Sequence, residues 1–479
     1  TLHSIAEEFE ATEKSTTEKE RPTASEEQET NKSEEPSVNV EVFTEKPMQP
    51  LPSDVTEAHQ GSEDAGKHTV VQQRHSNLFV AFGNDGIHVI NPETMSLVKH
   101  IRASDVISGS TSPICTGSPQ KPCTWGGAVN AGNKKIFAAD SLGRRLIVLD
   151  IATLSVIEEV KAEGYPYNPQ YVEALDEVWF TGWTSALAIL TEEEGDNGTI
   201  YVVSMATKEA PHHVTQVPSK DSKPIHPIYG LHVTDSCHLR DQERFGYVTH
   251  LDEPGFHEVS LKEKKFTRFV NLSSHNCHGT YGFALSLSTG HAIAHCFTAQ
   301  DGGQRAEIVV DLKTEEVVAM TTVNIGLPHI SPDGRLVVTL NEYTISALYF
   351  DHDGTIEIGE PIKTNMLLSD VAFIASDDGY DVYVTSKDSH SIVVLHASPA
   401  GMVTIDVLTG VGTPYKEAGW LHTRRGIVIG CEGHARYLAT PAVSEDTVVV
   451  LDGQQRSVRG KIENINGVVA LVWVGGDEA

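Results

Sequence analysis

The stretch that decides the fold is KKIFAADSLGRRLIVLDIATLSVIEEV, residues 134–160. It contains two apolar runs, KIFAAD and RRLIVLD, separated by Ser-Leu-Gly, and a third run, LSVIEEV, after a short break. Short runs rich in Val, Ile, Leu and aromatic residues, bounded by Gly, Asp and Ser, are typical of β-strands. The stretch therefore predicts three successive strands joined by tight turns.

The same pattern recurs from residue 77 onward. Further pairs of strand runs are LFVAFG with GIHVINP, VWFTGW with TIYVVS, RFGYVTH with GFHEVSL, AIAHCF with AEIVVDL, RLVVTL with ISALYFD, DVYVTS with SIVVLHA, and RYLATPA with TVVVLDG. The eight copies repeat every roughly 40 to 50 residues, the period of four-stranded propeller blades. We therefore predict an all-β, eight-bladed β-propeller of antiparallel blades. A seven-bladed ring is the alternative, if the divergent copy between residues 165 and 273 contains a long insertion.

One strand run remains after the eighth copy is complete. It is GVVALVWVG, residues 467–475, whereas the first copy lacks a leading strand. Pairing the two chain ends closes a ring and leaves only short exposed edges. We therefore predict a propeller at residues 76–479, closed by the strand 467–475.

Residues 1–75 have a different composition. They contain 17 Asp or Glu against 7 Lys or Arg, and two aromatic residues. Such a segment buries too little apolar surface to offset the entropy of ordering it, so we predict a disordered acidic tail. The tail carries −10 of the net −30, which leaves −20 on the remainder. Both parts repel nucleic acid and anionic membranes, and no run of eighteen apolar residues predicts a membrane span.

The cysteines and glycosylation sequons favour an oxidising, extracellular location. Cys115 and Cys123 can close a small loop, and Cys277 and Cys296 lie one hairpin apart. Cys237 and Cys431 have no partner that the sequence identifies. The sequons begin at Asn31, Asn197 and Asn271.

Several motifs resemble one known family. The motifs, in chain order, are DSLGRRLIVLDI at 140–151, SPDGRLVV at 331–338, RYLATPA at 436–442 and LVWVG at 471–475. Residues 76–479 resemble the C-terminal propeller region of the follistatin-like family, the follistatin-related proteins 4 and 5. The resemblance implies secretion and an extracellular binding role. The sequence lacks the calcium-binding EF-hand pair of that family, so the resemblance does not imply bound calcium. The resemblance also carries over no catalytic residues.

Histidine is unusually frequent, with 23 copies. His232, His278, His329 and His422 fall on or just before expected innermost strands, which surround the central channel of a propeller. Because imidazole is a ligand for Zn, Cu, Fe and Ni, these four form a candidate axial metal ring. The alternative is that each forms hydrogen bonds to a neighbouring blade.

A second histidine cluster lies around Cys277 and Cys296. His275, His278 and His295 flank these cysteines, and two thiolates with two imidazoles can hold zinc. In an oxidising compartment we expect the two cysteines to form a disulfide instead.

One loop partly matches a calcium-binding pattern. Asp351, Asp353, Gly354, Ile356 and Glu360 fit EF-hand positions, but Tyr349 replaces the first acidic ligand and the flanks are strand-like. A hairpin turn with Asp-Gly is the favoured interpretation. The acidic run Glu192, Glu193, Glu194 and Asp196 is interpreted as a solvated loop.

The sequence contains no G-x-S-x-G, phosphate-loop or dinucleotide motif. We therefore expect no enzyme and no obligatory cofactor, but a secreted, monomeric ring that binds an extracellular or matrix protein. Two alternatives remain open: an acidic protein associated with calcium or mineral, and a propeller metalloenzyme that uses the central histidines.

Overall fold

The computed structural model describes residues 77–115, 123–183, 199–217, 228–233, 245–298, 304–322, 325–351, 355–414, 426–429 and 436–475. These residues form eight antiparallel sheets, with short 3₁₀ turns as the helical elements within the described ranges. The architecture is an eight-bladed β-propeller, which confirms the predicted fold class and the higher blade count. The predicted acidic tail, residues 1–75, lies outside the described ranges.

The first four blades contain the following strands, given in chain order. Blade 1 has β1 (Leu78–Gly83), β2 (Gly86–Asn91), β3 (Ser96–Arg102) and the last strand of the chain, β33 (Ala470–Val474); blade 2 has β4 (Trp125–Ala131), β5 (Lys135–Asp140), β6 (Arg145–Asp150) and β7 (Ser155–Lys161); blade 3 has β8 (Tyr165–Val172), β9 (Glu177–Trp183), β10 (Thr199–Ser204) and β11 (Val214–Gln216); blade 4 has β12 (Ile228–His232), β13 (Phe245–His250), β14 (Gly255–Ser260) and β15 (Lys265–Asn271).

The other four blades follow the same order. Blade 5 has β16 (Gly279–Ser286), β17 (His291–Phe297), β18 (Arg305–Asp311) and β19 (Val317–Thr321); blade 6 has β20 (Leu327–Ile330), β21 (Leu336–Asn341), β22 (Thr344–Phe350), β23 (Ile356–Ile358) and β24 (Ile362–Lys363); blade 7 has β25 (Leu368–Ser376), β26 (Gly379–Ser386), β27 (Ile392–Ser398) and β28 (Gly401–Leu408); blade 8 has β29 (Val428–Ile429), β30 (Tyr437–Ala442), β31 (Thr447–Asp452) and β32 (Ser457–Glu463). In blade 6, β23 and β24 both pair with β22 and share the outermost position.

The innermost strands of adjacent blades contact each other at most junctions of the ring. For example, β4 contacts β33 and β8, and β16 contacts β12 and β20. The strands alternate in direction within every blade. The turns between second and third strands therefore open on the same face of the ring as the segments that connect successive blades. We call this the hairpin face; it includes residues 84–85 of blade 1 and 251–254 of blade 4.

The hydrophobic core lies between adjacent blades. Val80 and Val89 of blade 1 pack in one buried cluster with Ile136 and Ile147 of blade 2. The two middle strands of a blade are buried on both faces because each face contacts a neighbouring blade. Full burial of such side chains contributes about 1.5–3 kcal/mol each.

Blade 1 is assembled from both ends of the described ring. β33 pairs antiparallel with β1, with Phe79 opposite Trp473 and Val80 opposite Val472. The side-chain amide of Asn130 in blade 2 donates to the Trp473 carbonyl at 3.0 Å. The strand begins at Ala470, three residues after the start of the run that the sequence indicated.

Candidate functional site

The predicted axial histidines occupy different parts of the ring. His232 ends β12 and packs its ring on Phe283 at 4.9 Å, and His329 lies on β20. His278 lies just before β16, where its backbone N–H donates to the Phe297 carbonyl at 2.8 Å. His422 lies outside the described residues.

Two groups of three metal-ligating side chains converge within the described ranges, with one donor atom from each residue within 4.8 Å of the others. Neither group includes His232, His278 or His329. Because His422 lies outside the described residues, the axial ring as a whole stays a prediction.

The axial histidines that are described have structural contacts. Burial lowers the pKa of His232 to about 4, so its imidazole is neutral at pH 7. The Nδ1 atom of His329 lies 3.5 Å from Oδ1 of Asp370 on the next blade. Oδ2 of Asp370 accepts a hydrogen bond from the Ile427 backbone N–H at 3.1 Å. These contacts link blades 6, 7 and 8 near the axis.

Both predicted disulfides are formed. Cys115 bonds to Cys123 in the segment between blades 1 and 2, and Cys277 bonds to Cys296 across two strands of blade 5. The sulfurs of Cys277 and Cys296 are therefore not available as thiolate ligands for zinc. Cys237 and Cys431 lie outside the described residues.

The structure describes only some of the other candidates, namely the glycosylation sequons, the EF-hand-like loop and the acidic run. Asn271 is exposed at the end of β15, and its Oδ1 accepts from the Ser273 N–H at 2.8 Å. The EF-hand-like loop is a hairpin between β22 and β23, in which the Asp351 N–H donates to the Thr355 carbonyl at 2.9 Å. The strand-like flanks are thus confirmed, and the calcium alternative stays untested. Asn31, Asn197, Asp353, Gly354 and the run from Glu192 to Asp196 lie outside the described residues.

The group in blade 1 is formed by Asp85, His88 and His100, and sequence reasoning missed it. Nε2 of His88 donates to Oδ1 of Asp85 at 2.9 Å, and Nε2 of His100 lies 3.5 Å from Oδ2 of the same carboxylate. The two imidazole rings are stacked, with centroids 4.1 Å apart and planes at 16°. One carboxylate therefore contacts both imidazoles. We call these three residues the blade 1 site.

Strand pairing brings these residues together. His88 on β2 and His100 on β3 are direct partners in the sheet, so their side chains lie on the same face. Asp85 lies in the turn between β1 and β2, immediately before Gly86. Gly86 has φ +137°, and a Cβ atom there would lie 2.1 Å from the Ile101 carbonyl oxygen. A glycine is therefore required for Asp85 to approach the two histidines.

The electrostatics of the blade 1 site favour a cation. Burial raises the pKa of Asp85, but the hydrogen bond from His88 and the charges of His88 and His100 outweigh it and hold that pKa below its usual value. Burial and the charge of His88 lower the pKa of His100, against the opposing effect of Asp85. At neutral pH the site therefore offers a carboxylate and the neutral imidazole of His100.

The blade 1 site is braced by the neighbouring disulfide. The Cys123 N–H donates to the Asn84 carbonyl at 3.0 Å, and the Cys115 N–H donates to the Ala103 carbonyl at 3.2 Å. Ala103 in turn donates its N–H to the Asp85 carbonyl at 2.8 Å. The disulfide thus holds together the two backbone segments that flank the site.

The donor set matches a transition metal. Catalytic and other open zinc sites use three protein ligands, often His with Asp or Glu, and keep one position for water. Ligands about 2.0–2.1 Å from a tetrahedral ion lie about 3.4 Å apart, and the separations of 2.9 Å and 3.5 Å bracket this value. His88 is buried, whereas Asp85 and His100 are partly exposed, so the site is open to solvent on one side.

Comparisons with solved structures agree with the fold. The chain is similar to dihydro-heme d1 dehydrogenase NirN in complex with DHE, with a TM-score of 0.57, 14% identity, and coverage of 83% of this chain and 75% of that one. It is also similar to AztD from Citrobacter koseri, with a TM-score of 0.52, 12% identity, and coverage of 84% and 98%. The apo form of that protein gives a TM-score of 0.51 at 12% identity, with coverage of 85% and 100%.

At these identities the likenesses show the propeller fold alone. No family model matches the chain. The resemblance to the follistatin-like family therefore stays a prediction. In the described part of the chain, no helix has the length and apolar character needed to cross a membrane.

Proposed function

We propose that this chain is a secreted binding propeller that holds a divalent transition metal, Zn²⁺ being the best match, at the blade 1 site. The observation that carries the proposal is the convergence of Asp85, His88 and His100 at a turn open to solvent. Two disulfides support an extracellular location, since such bonds persist in oxidising compartments.

We favour binding over catalysis because other buried carboxylates of the propeller are already engaged in ion pairs. The guanidinium of Arg145 contacts Asp140 at 2.9 Å and Glu159 at 2.5 Å, and that of Arg268 contacts Glu258 at 2.6 Å. These carboxylates serve as ion-pair partners within blades 2 and 4. They therefore hold strands together, while within the described residues the ion pairs of Asp85 are with the two imidazoles of its own site.

The test is equilibrium dialysis of chelator-treated protein against Zn²⁺, followed by elemental analysis. D85N removes the charge while it keeps the size, and H100F keeps the stacked ring while it removes the ligand. We expect each variant to weaken zinc binding at the blade 1 site at least about tenfold. Undiminished binding in both variants contradicts the proposal.

His396 provides a matched control. It also lies between two carboxylates, but Nε2 faces Asp378 at 3.1 Å while Nδ1 faces Asp381 at 3.3 Å. The two nitrogens point in different directions, so this group cannot converge on one ion. H396F should leave zinc binding unchanged, which separates loss of the site from a general effect of removing a histidine.

A second candidate function is the docking of a macromolecule. On β28, the outermost strand of blade 7, Val403, Ile405 and Val407 are 56%, 36% and 48% exposed. Contiguous exposed apolar surface is typical of interaction sites. This row favours the role of a matrix or interaction scaffold. The calcium- or mineral-associated alternative depends on residues outside the described ranges.

Cross-linking in the native extracellular fluid tests this second function. If β28 binds a partner, cross-links from blade 7 to that partner should be lost in V403T/V407T and retained in V318T, which changes an exposed valine of blade 5. Equal cross-linking in all three proteins removes the support for a docking site on β28.

A further inference from the structure

The second convergent group lies in blade 4 and consists of His250, Glu253 and His257. Nε2 of His257 donates to Oε2 of Glu253 at 2.6 Å, and Nε2 of His250 lies 3.7 Å from the same oxygen. The two imidazoles meet edge to face, with centroids 5.1 Å apart. As in blade 1, one carboxylate contacts two imidazoles.

The two groups occupy the same position in the propeller. Each lies at the turn between the second and third strands of its blade, on the hairpin face. Gly86 and Gly255 both open the third strand with positive φ, +137° and +147°, and each would place a Cβ atom against a carbonyl oxygen of the fourth strand. His88 and His257 each follow that glycine by two residues, so both side chains lie on the same face of the third strand.

The third ligand comes from a different strand in each blade. In blade 1, the residue opposite His88 on the fourth strand is His100. In blade 4 the residue opposite His257 is Phe269, whose ring lies 4.6 Å from the imidazole. The second imidazole is supplied instead by His250, at the end of the second strand. Both blades therefore supply one carboxylate and two imidazoles, although the second imidazole comes from different strands and the carboxylate lies one residue before the glycine in blade 1 and two before it in blade 4.

Each turn also lies close to a disulfide. In blade 4 the hydroxyl of Thr280 donates to the Gly255 carbonyl at 2.9 Å. The same hydroxyl lies 3.9 Å and 4.0 Å from the sulfurs of Cys277 and Cys296. In blade 1 the backbone N–H of Cys123 itself donates to the Asn84 carbonyl, whereas in blade 4 the contact with the turn is made by Thr280.

We propose that His250, Glu253 and His257 form a second site for a divalent transition metal, so that the hairpin face carries two sites at equivalent positions. We call these three residues the blade 4 site. The inference shares with the proposed function only the chemical class of the ion, since its geometry is independent of blade 1. The separations of 2.6 Å and 3.7 Å again bracket the roughly 3.4 Å spacing of tetrahedral zinc ligands.

The surroundings indicate how the blade 4 site admits an ion. His250 is buried, whereas about one-fifth of the His257 and Glu253 side chains is exposed. The exposed edge provides a route for the ion, and Phe269 and Phe266 pack against His257 and fix its ring. Zn²⁺ would take the place of the proton on Nε2 of His257, which would leave to solvent, and His250, Glu253 and His257 would hold the ion.

The experiment measures zinc stoichiometry of the full chain at saturating Zn²⁺ by dialysis and elemental analysis, using E253Q and H257F. Both substitutions keep the approximate size of the side chain, and H257F keeps an aromatic ring against Phe269. If H257F fails to fold, the zinc stoichiometry of E253Q alone tests the proposal. We expect each variant to hold one ion fewer than the wild type, and E253Q combined with D85N to hold two fewer.

The ion counts of D85N and E253Q test the blade 1 and blade 4 sites separately. Loss of one ion in D85N but none in E253Q overturns the blade 4 site and leaves the blade 1 site intact. Loss of one ion in E253Q but none in D85N supports the blade 4 site and contradicts the proposed function at blade 1. Calcium at the same concentration serves as a specificity control, because two imidazoles favour a transition metal over a cation that prefers oxygen ligands.

Discussion

The closing strand β33 allows a quantitative test of how the ring is held together. Val474 is fully buried at the junction of blade 1, and its strand pairs with β1. V474A removes two buried methyl groups, each worth about 0.8 kcal/mol of transfer free energy. The cavity that remains adds to this cost, so we expect a loss of about 2–3 kcal/mol in the free energy of unfolding.

Urea unfolding followed by circular dichroism measures this change. V407A is the matched control, because it makes the same substitution at a valine that is 48% exposed, and we expect a change below about 0.5 kcal/mol. If β33 closes the ring, V474A should lower the unfolding midpoint of the whole propeller in one transition. A V474A midpoint equal to that of V407A, or loss of hydrogen-exchange protection confined to blade 1, would refute this reasoning.

Three further predictions concern pH, the turn and the disulfide. Burial lowers the folded-state pKa of His232 from 6.5 to about 4, so the stabilisation that its neutral imidazole contributes is complete above pH 6.5 and is lost as the pH falls towards 4. H232F should therefore reduce the loss of unfolding free energy between pH 6.5 and pH 4 by about 3 kcal/mol. Parallel curves of stability against pH for H232F and the wild type would contradict this prediction. G86A should destabilise the chain by about 1–3 kcal/mol and weaken zinc binding at the blade 1 site, because the new Cβ meets the Ile101 carbonyl oxygen. Unchanged zinc binding in dialysis would contradict the claim that Gly86 positions Asp85. C115S/C123S should weaken zinc binding when Asp85 is present but should have no further effect on zinc binding in D85N. Titration calorimetry measures both affinities. Equal effects in the two backgrounds would contradict the claim that the disulfide supports the blade 1 site.

The fold was predictable because its signal is local and repeated. Alternating apolar runs separated by turn residues, as in 134–160, predict strands from pattern alone, and their regular recurrence predicts blades. The pairing of Cys277 with Cys296 was also predictable, because one hairpin separates them and Cys296 lies opposite Thr280 in the sheet. The extra strand at the C-terminus indicated where the ring closes.

The two candidate metal sites were not predictable, because no local, repeated pattern marks their residues. His88 and His100 lie 12 residues apart on different strands, and only the register of β2 against β3 places them opposite each other. A single-residue slip would move one of them to the other face of the sheet. The axial metal ring is predicted from the positions of its histidines on the innermost strands. Convergence on one ion also depends on the direction of each side chain, which the sequence does not specify.

Anomalous diffraction at the zinc absorption edge tests the central claim most directly. Crystals of the chain grown with Zn²⁺ should show an anomalous peak between Asp85, His88 and His100, with ligand distances of about 2.0–2.2 Å. The account also predicts a second peak between His250, Glu253 and His257. Peaks confined to the ring axis, with none at the blade 1 site, would contradict the claim that the hairpin face binds the metal.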